Sequence, residues 1–125
     1  MRNSAQRRPV VLVVEDEFLL RIHAIEMIED AGFEALQAAD ADEAIQILEN
    51  RSDICIVFTD IQMPGSMDGL KLAHAVRGRW PPIKIVTTSG RINVRIDDLP
   101  SGGRFLPKPY RPEEVAGTLR ELVGA

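Results

Sequence analysis

Apolar residues along the chain fall into short runs separated by stretches with helical spacing. The runs are VVLVV at 10–14, EALQA at 34–38, ICIVF at 54–58, IKIVTT at 83–88 and RFL at 104–106. Their β-branched content predicts five strands. Between the first two, Phe18, Ile22, Ile25 and Ile28 keep the spacing of one helical face, and Gly32 follows as a stop signal. A second helix is predicted with Asp40 or Asp42 as its cap and Ala41, Ala44, Ile45 and Leu48 facing inward. Leu70, Ala73 and Val76 form a third stripe, which ends before Gly78 and the turn at Pro81-Pro82. A last helix follows Pro112 and carries Val115, Leu119 and Leu122. Residues 91–103, RINVRIDDLPSGG, hold only a weak helical pattern broken by Pro100 and two glycines, so a fourth helix there is expected to be short or irregular.

Continuously apolar strands are buried on both faces, and here each is followed by a helix. That combination predicts a parallel sheet sandwiched between helices in a (βα)5 order. The length of 125 residues suits one domain. Residues 1–8 are expected to be a loose arm, and 9–125 the folded unit.

Composition narrows the function classes. The chain is 45% hydrophobic and 27% charged, as soluble globular proteins are. Its net charge of -4 and the scattered placement of Arg2, Arg7, Arg8, Arg21 and Arg51 argue against nucleic acid as a partner. The basic start MRNSAQRRP precedes only five apolar residues, Val10 to Val14, too few for a signal-peptide core or a membrane span. A cytoplasmic location with no membrane partner is expected. The single cysteine, Cys55, can form no internal disulfide and is expected to be a small buried hydrophobe.

The chemistry sits at the ends of the runs. Open α/β sheets bind ligands beyond the carboxyl ends of their strands. Glu15, Asp16 and Glu17 follow the first run and Asp60 the third; Thr87, Thr88, Ser89 and Gly90 close the fourth, and Lys108 stands beyond the fifth between Pro107 and Pro109. Carboxylates crowded together repel one another unless a cation neutralises them. Oxygen ligands select a hard ion such as Mg2+. A divalent ion, an ammonium and a hydroxyl around one carboxylate make a receptacle for a phosphoryl group. The carboxylate itself can be the nucleophile, and Asp60 is the candidate.

From Val10 to about Val123 the chain resembles the receiver domains of bacterial two-component response regulators. VVEDE resembles the family's acidic pair at Glu15 and Asp16, and FTDIQMPG its phosphoacceptor strand and turn at Asp60. TSG resembles its hydroxyl-plus-small-residue motif at Ser89-Gly90, and KPY its lysine-proline motif at Lys108-Pro109. One such tripeptide is weak evidence; four in the family's order, each at a strand end, are specific.

The resemblance implies a flavodoxin-like doubly wound fold and a signalling switch whose only catalysis is its own phosphoryl transfer and slow autodephosphorylation. Asp60 would accept a phosphoryl group from a phosphohistidine on a sensor histidine kinase or a phosphotransfer protein. Mg2+ would be held by Asp16, the Asp60 carboxylate and the Gln62 backbone carbonyl, with Glu15 acting through a metal-bound water. Lys108 would pair with Asp60 before transfer and with the phosphoryl group afterwards, next to a cis peptide bond at Lys108-Pro109. Ser89, with Thr88 as the alternative register, would hydrogen-bond the phosphoryl group, Gly90 leaving room for it. Phe105, unless it is simple core packing, would be the switch aromatic that turns into the space Ser89 vacates. The face built from residues 91–103, the fifth strand and the last helix would then change shape for a downstream protein target. Gln62 and Arg91 occupy positions that in the family bear on the lifetime of the acyl phosphate.

Three features depart from the family: MPGSMDG is one residue longer than the commoner MPGMDG, the 91–103 segment is short and carries proline and glycine, and Gln62 and Arg91 stand two residues beyond Asp60 and Ser89. Two other functions remain open: a scaffold-like receiver that works without phosphorylation, and a haloacid-dehalogenase-type phosphatase. The phosphatase motif places a second acid two residues after the nucleophile, where this chain has Gln62. Neither GxGxxG nor GxxxxGK[ST] occurs, which argues against a nucleotide-binding fold.

Overall fold

The computed structural model describes residues 8–91 and 95–124, so the expected N-terminal arm lies almost wholly outside the described residues. Strands β1 (Val10–Val14), β2 (Glu34–Ala38), β3 (Ile54–Asp60), β4 (Lys84–Ser89) and β5 (Arg104–Pro107) form one parallel sheet in the order β2-β1-β3-β4-β5. Helices α1 (Phe18–Asp30), α2 (Ala41–Asn50), α3 (Gly69–Arg79) and α4 (Pro112–Gly124) cover its two faces. Among the described residues, a 3-10 turn at Ile96–Asp98 stands where a short or irregular fourth helix was expected. This is the flavodoxin-like doubly wound sandwich that the resemblance implied.

Strand periodicity divides the core. Val11, Val13, Ile56, Phe58, Val86 and Leu106 share one cluster with Ala24 and Ile28 of α1 and with Val115, Leu119 and Leu122 of α4. Val10, Leu12, Val14, Val57 and Ile85 share the other with residues of α2 and α3. Side chains alternate across a strand, so only apolar runs can feed both layers at once. β2 is an edge strand and does not follow that rule: Glu34 and Gln37 are exposed, and only Ala38 is buried.

The helix starts follow their caps. The Asp40 side chain accepts from the Glu43 N–H at 2.8 Å, while the Glu43 carboxylate accepts from the Ala39 N–H at 2.6 Å. This reciprocal arrangement fixes Asp40, not Asp42, as the cap of α2. Asp68 caps α3 through the Lys71 N–H at 2.9 Å.

Several expectations need correction. Phe18 is 62% exposed, because it opens α1 at the carboxyl edge of the sheet, ahead of the turns that pack on it; Ala24 and Ile28 are the buried residues of that helix. In α3 the buried stripe is Leu72, Ala73 and Val76, with Leu70 only partly covered, and the helix continues through Gly78 to Arg79. Cys55 is exposed, not buried. Val10 pairs with Ile54 and Val11 with Ile56, so Cys55 is the extra residue of a β-bulge and turns out of the sheet.

β1 and β3 are adjacent although β2 lies between them in sequence, so the chain reverses its direction of winding there. That switch point opens a crevice at the carboxyl ends of β1 and β3. The MPGSMDG loop closes one side of it. Gly65 takes a positive φ of 112°, and the added Ser66 donates to Asp42 Oδ1 at 2.6 Å, which turns the extra residue toward α2. The loop ends at Gly69, whose N–H donates to the Ile61 carbonyl at 2.9 Å. A Cβ on Gly69 would overlap the Asp60 carbonyl oxygen. Gly117, in α4, has nothing within 4 Å of such an atom. Gly69→Ala is therefore expected to lower the unfolding free energy by about 1–3 kcal/mol or more, whereas Gly117→Ala raises it by about 0.5–1 kcal/mol; urea unfolding of the two variants checks both signs.

Candidate functional site

Three strand exits converge on one point. β1 delivers Glu15, which is 4% exposed and whose N–H donates to the Ala38 carbonyl at 3.1 Å. β3 runs one step further than its apolar residues suggest and carries Asp60, 6% exposed, as its last residue. The Ile61 N–H donates to the Thr88 carbonyl at 2.9 Å and the Lys108 N–H to the Ser89 carbonyl at 2.8 Å, which extends the pairing of β3, β4 and β5 past their ends. The Lys108-Pro109 peptide bond is cis, as the resemblance implied.

Held in this way, Lys108 Nζ lies 3.0 Å from Glu15 Oε1 and 3.3 Å from Asp60 Oδ2. The expected Lys108–Asp60 pair is therefore present, and Glu15 shares the ammonium. Asp60 Oδ1 is buried without a hydrogen-bond partner among the described residues. Asp16 is exposed at the rim, and the carboxylate oxygens of Glu15, Asp16 and Asp60 fall within 4.8 Å of one another. Glu17 is also exposed, and its N–H donates to Glu15 Oε2 at 3.2 Å.

The hydroxyl residues take different places. Thr87 Oγ1 donates to the Arg104 carbonyl at 3.2 Å, a structural tie within the sheet. Thr88 is buried and pairs in register with Asp60. Ser89, 1% exposed, donates from Oγ to Gln62 Oε1 at 2.6 Å and accepts from the Arg91 N–H at 3.0 Å. The Arg91 residue is otherwise exposed. Phe105 is half-buried and pairs in register with Thr87.

Burial dominates the electrostatics. It pushes the Asp60 and Glu15 carboxyls above the ordinary carboxylate range, and Lys108 only partly offsets this. Burial pulls Lys108 down, but the hydrogen bond to Glu15 and the charge of Asp60 outweigh it, so the ammonium is held above its usual value. Burial also raises the Tyr110 phenol, whose ring meets Phe58 edge-on at 5.7 Å between centroids.

Three carboxylates face one ammonium, and one buried oxygen is unpartnered. A hard divalent cation fits that surplus of oxygen and charge. Asp16 and Asp60 offer carboxylate ligands to such an ion, with Glu15 beside them.

Sequence reasoning missed Arg21, treating it as one scattered cation. Its Nη1 donates to the Glu15 carbonyl at 2.8 Å and its Nε to Gln37 Oε1 at 2.9 Å, which pins the loop between β1 and α1. The available signal was its place one helical turn after the acidic stretch.

The family model of the response regulator receiver domain matches residues 11–120, and the chain belongs to that family. Over 117 residues, 90% of the chain, it is 33% identical to the sensor kinase CckA of Brucella abortus (strain 2308), of which it covers 12%. It is likewise 33% identical over 117 residues to the two-component response regulator PhoP of Pseudomonas aeruginosa, covering 51% of it. The chain thus spans about half or less of these curated relatives. The crystal structure of a response regulator receiver protein from Sinorhizobium medicae WSM419 superposes with a TM-score of 0.87 at 25% identity, over 94% of this chain and 96% of that one. Among the described residues no helix is long and apolar enough to cross a membrane.

Because the folded state holds the protons of Asp60 and Glu15 more tightly than the unfolded chain does, their contribution to stability is full below the ordinary carboxylate range. It is lost as pH rises through the raised folded values. In metal-free buffer, Asp60→Asn is expected to melt above the wild type at neutral pH. Its melting temperature should also fall less between about pH 4 and about pH 7; calorimetric scans across that range check both.

Proposed function

We propose that this chain is a phosphorylation-dependent signalling switch, with Asp60 as phosphoacceptor and a histidine kinase or phosphotransfer protein as donor. The observation that carries this proposal is the Asp60 carboxylate: rigid at a strand end, buried, bound to Lys108 through Oδ2 and free at Oδ1. One oxygen of the Asp60 carboxylate is the nucleophile. As it bonds to phosphorus, the phosphorus–nitrogen bond of the phosphohistidine breaks and its electron pair returns to the imidazole. Lys108 neutralises charge on the phosphoryl oxygens, and Ser89 is the hydroxyl that engages them. Asp16, the Asp60 carboxylate and the Gln62 backbone carbonyl would hold Mg2+, with Glu15 acting through a metal-bound water, and the ion would supply positive charge to neutralise the phosphoryl oxygens.

An apolar rim supports a protein donor. Phe18 and Leu19, 62% and 75% exposed, stand on the first turn of α1 directly after the acidic stretch. Exposed large apolar side chains next to a reactive group suit a protein surface better than a small metabolite. A sensor kinase as donor goes with the cytoplasmic location expected above.

The output is a shift between two pre-existing conformations, with Ser89 and Phe105 as the moving parts. Reversing such an equilibrium from 1:99 to 99:1 takes a difference of about 5.5 kcal/mol in interaction energy between the two states. A haloacid-dehalogenase-type phosphatase would place an acid at position 62, and Gln62 hydrogen-bonds Ser89 there instead. A receiver working without phosphorylation has no need of a buried carboxylate pair joined to a lysine.

Incubation with Mg2+ and acetyl phosphate is expected to add about 80 Da to the intact mass, with loss of the adduct in Asp60→Asn and without Mg2+. No adduct on the wild-type protein, or one that persists in Asp60→Asn, removes Asp60 from this role. Mg2+ alone is expected to raise the melting temperature of the wild type more than that of Asp60→Asn, as a ligand that binds only the folded site does.

A further inference from the structure

Ser89 and Gln62 come from the exits of two different strands, and the fold joins them. Ser89 Oγ donates its proton to Gln62 Oε1 at 2.6 Å and accepts the Arg91 N–H at 3.0 Å. A hydroxyl has one proton to give. It is committed to Gln62, while Asp60 Oδ1 stays without a partner. Ser89 is 1% exposed and Gln62 half-buried, so water competes poorly for either end of the bond.

We propose that Gln62 is a latch on the resting state: its side-chain carbonyl competes with the phosphoryl group on Asp60 for the Ser89 proton. Resting on the phosphoacceptor role proposed for Asp60, this makes Gln62 a positioning residue that acts through Ser89 and sets how readily a phosphoryl group engages the switch. The two acceptors exclude each other because both need the same O–H. A neutral hydrogen bond of this kind biases an equilibrium by about three- to tenfold, enough to grade the response without preventing it.

The latch is tested by titrating the metal-loaded protein with beryllofluoride, a stable mimic of the phosphoryl group, and following the Arg91 amide by NMR. Gln62→Met keeps the length of the side chain and removes the acceptor; it is expected to reach half-saturation at about three- to tenfold lower beryllofluoride. Gln62→Ala is expected to shift in the same direction, and thermal melts of both establish that they fold. In a Ser89→Ala background the Gln62→Met effect is expected to vanish, because there is no proton left to contest. Equal half-saturation of Gln62→Met and wild type overturns the latch, and so does an undiminished effect in the Ser89→Ala background. Failure of every variant and of the wild type to bind beryllofluoride overturns the phosphoacceptor role as well, and so is distinguishable from failure of the latch alone.

Discussion

Lys108 shared between Glu15 and Asp60 is the interaction on which the arrangement of the site depends. Two buried carboxylates one strand apart are unfavourable in a low-dielectric setting, and the ammonium makes them tolerable without extinguishing the surplus negative charge. It can reach both only because β1, β3 and β5 are parallel and their exits lie on one edge. The bonds from Ile61 to Thr88 and from Lys108 to Ser89 extend the sheet past its last residues and hold those exits in place. Such a bridge is weak evidence of stability. Its importance is to hold a reactive oxygen in one position while leaving it chemically unsatisfied.

The strands were legible because they are buried on both faces and so cannot avoid an apolar run, as VVLVV and ICIVF show. The errors arose where tertiary context overrides local pattern. Phe18 fits the helical stripe, but its turn of α1 lies at the open edge; Cys55 sits within an apolar run, but a bulge turns it outward. Glu15, Asp16, Asp60, Ser89 and Lys108 could be named from sequence because each stands at a strand end and the fold determines where those ends go. The bonds among them could not. That Glu15 takes part of the lysine, that Ser89 faces Gln62 and that Arg21 pins the β1 exit all depend on side-chain reach across strands remote in sequence.

The 91–103 segment holds little regular structure. Among its described residues it holds one 3-10 turn, with Leu99 and Pro100 buried beneath it. His74 of α3 reaches it, with Nε2 2.8 Å from the Asp98 carbonyl. Among the described residues the segment is tied to the rest of the fold by the buried Leu99 and Pro100, by His74 and by the Arg91 N–H bond to Ser89 Oγ.

The bulge at Cys55 has a practical consequence. It places the protein's one thiol in solvent at the amino end of the strand that ends in Asp60. Asp60 lies five positions further along the extended chain, about 16 Å away. A fluorophore or spin label attached there would sit at the far end of the sheet from the acidic crevice. The native sequence thus supplies a single-point reporter that needs no engineered cysteine and leaves the reactive edge unencumbered.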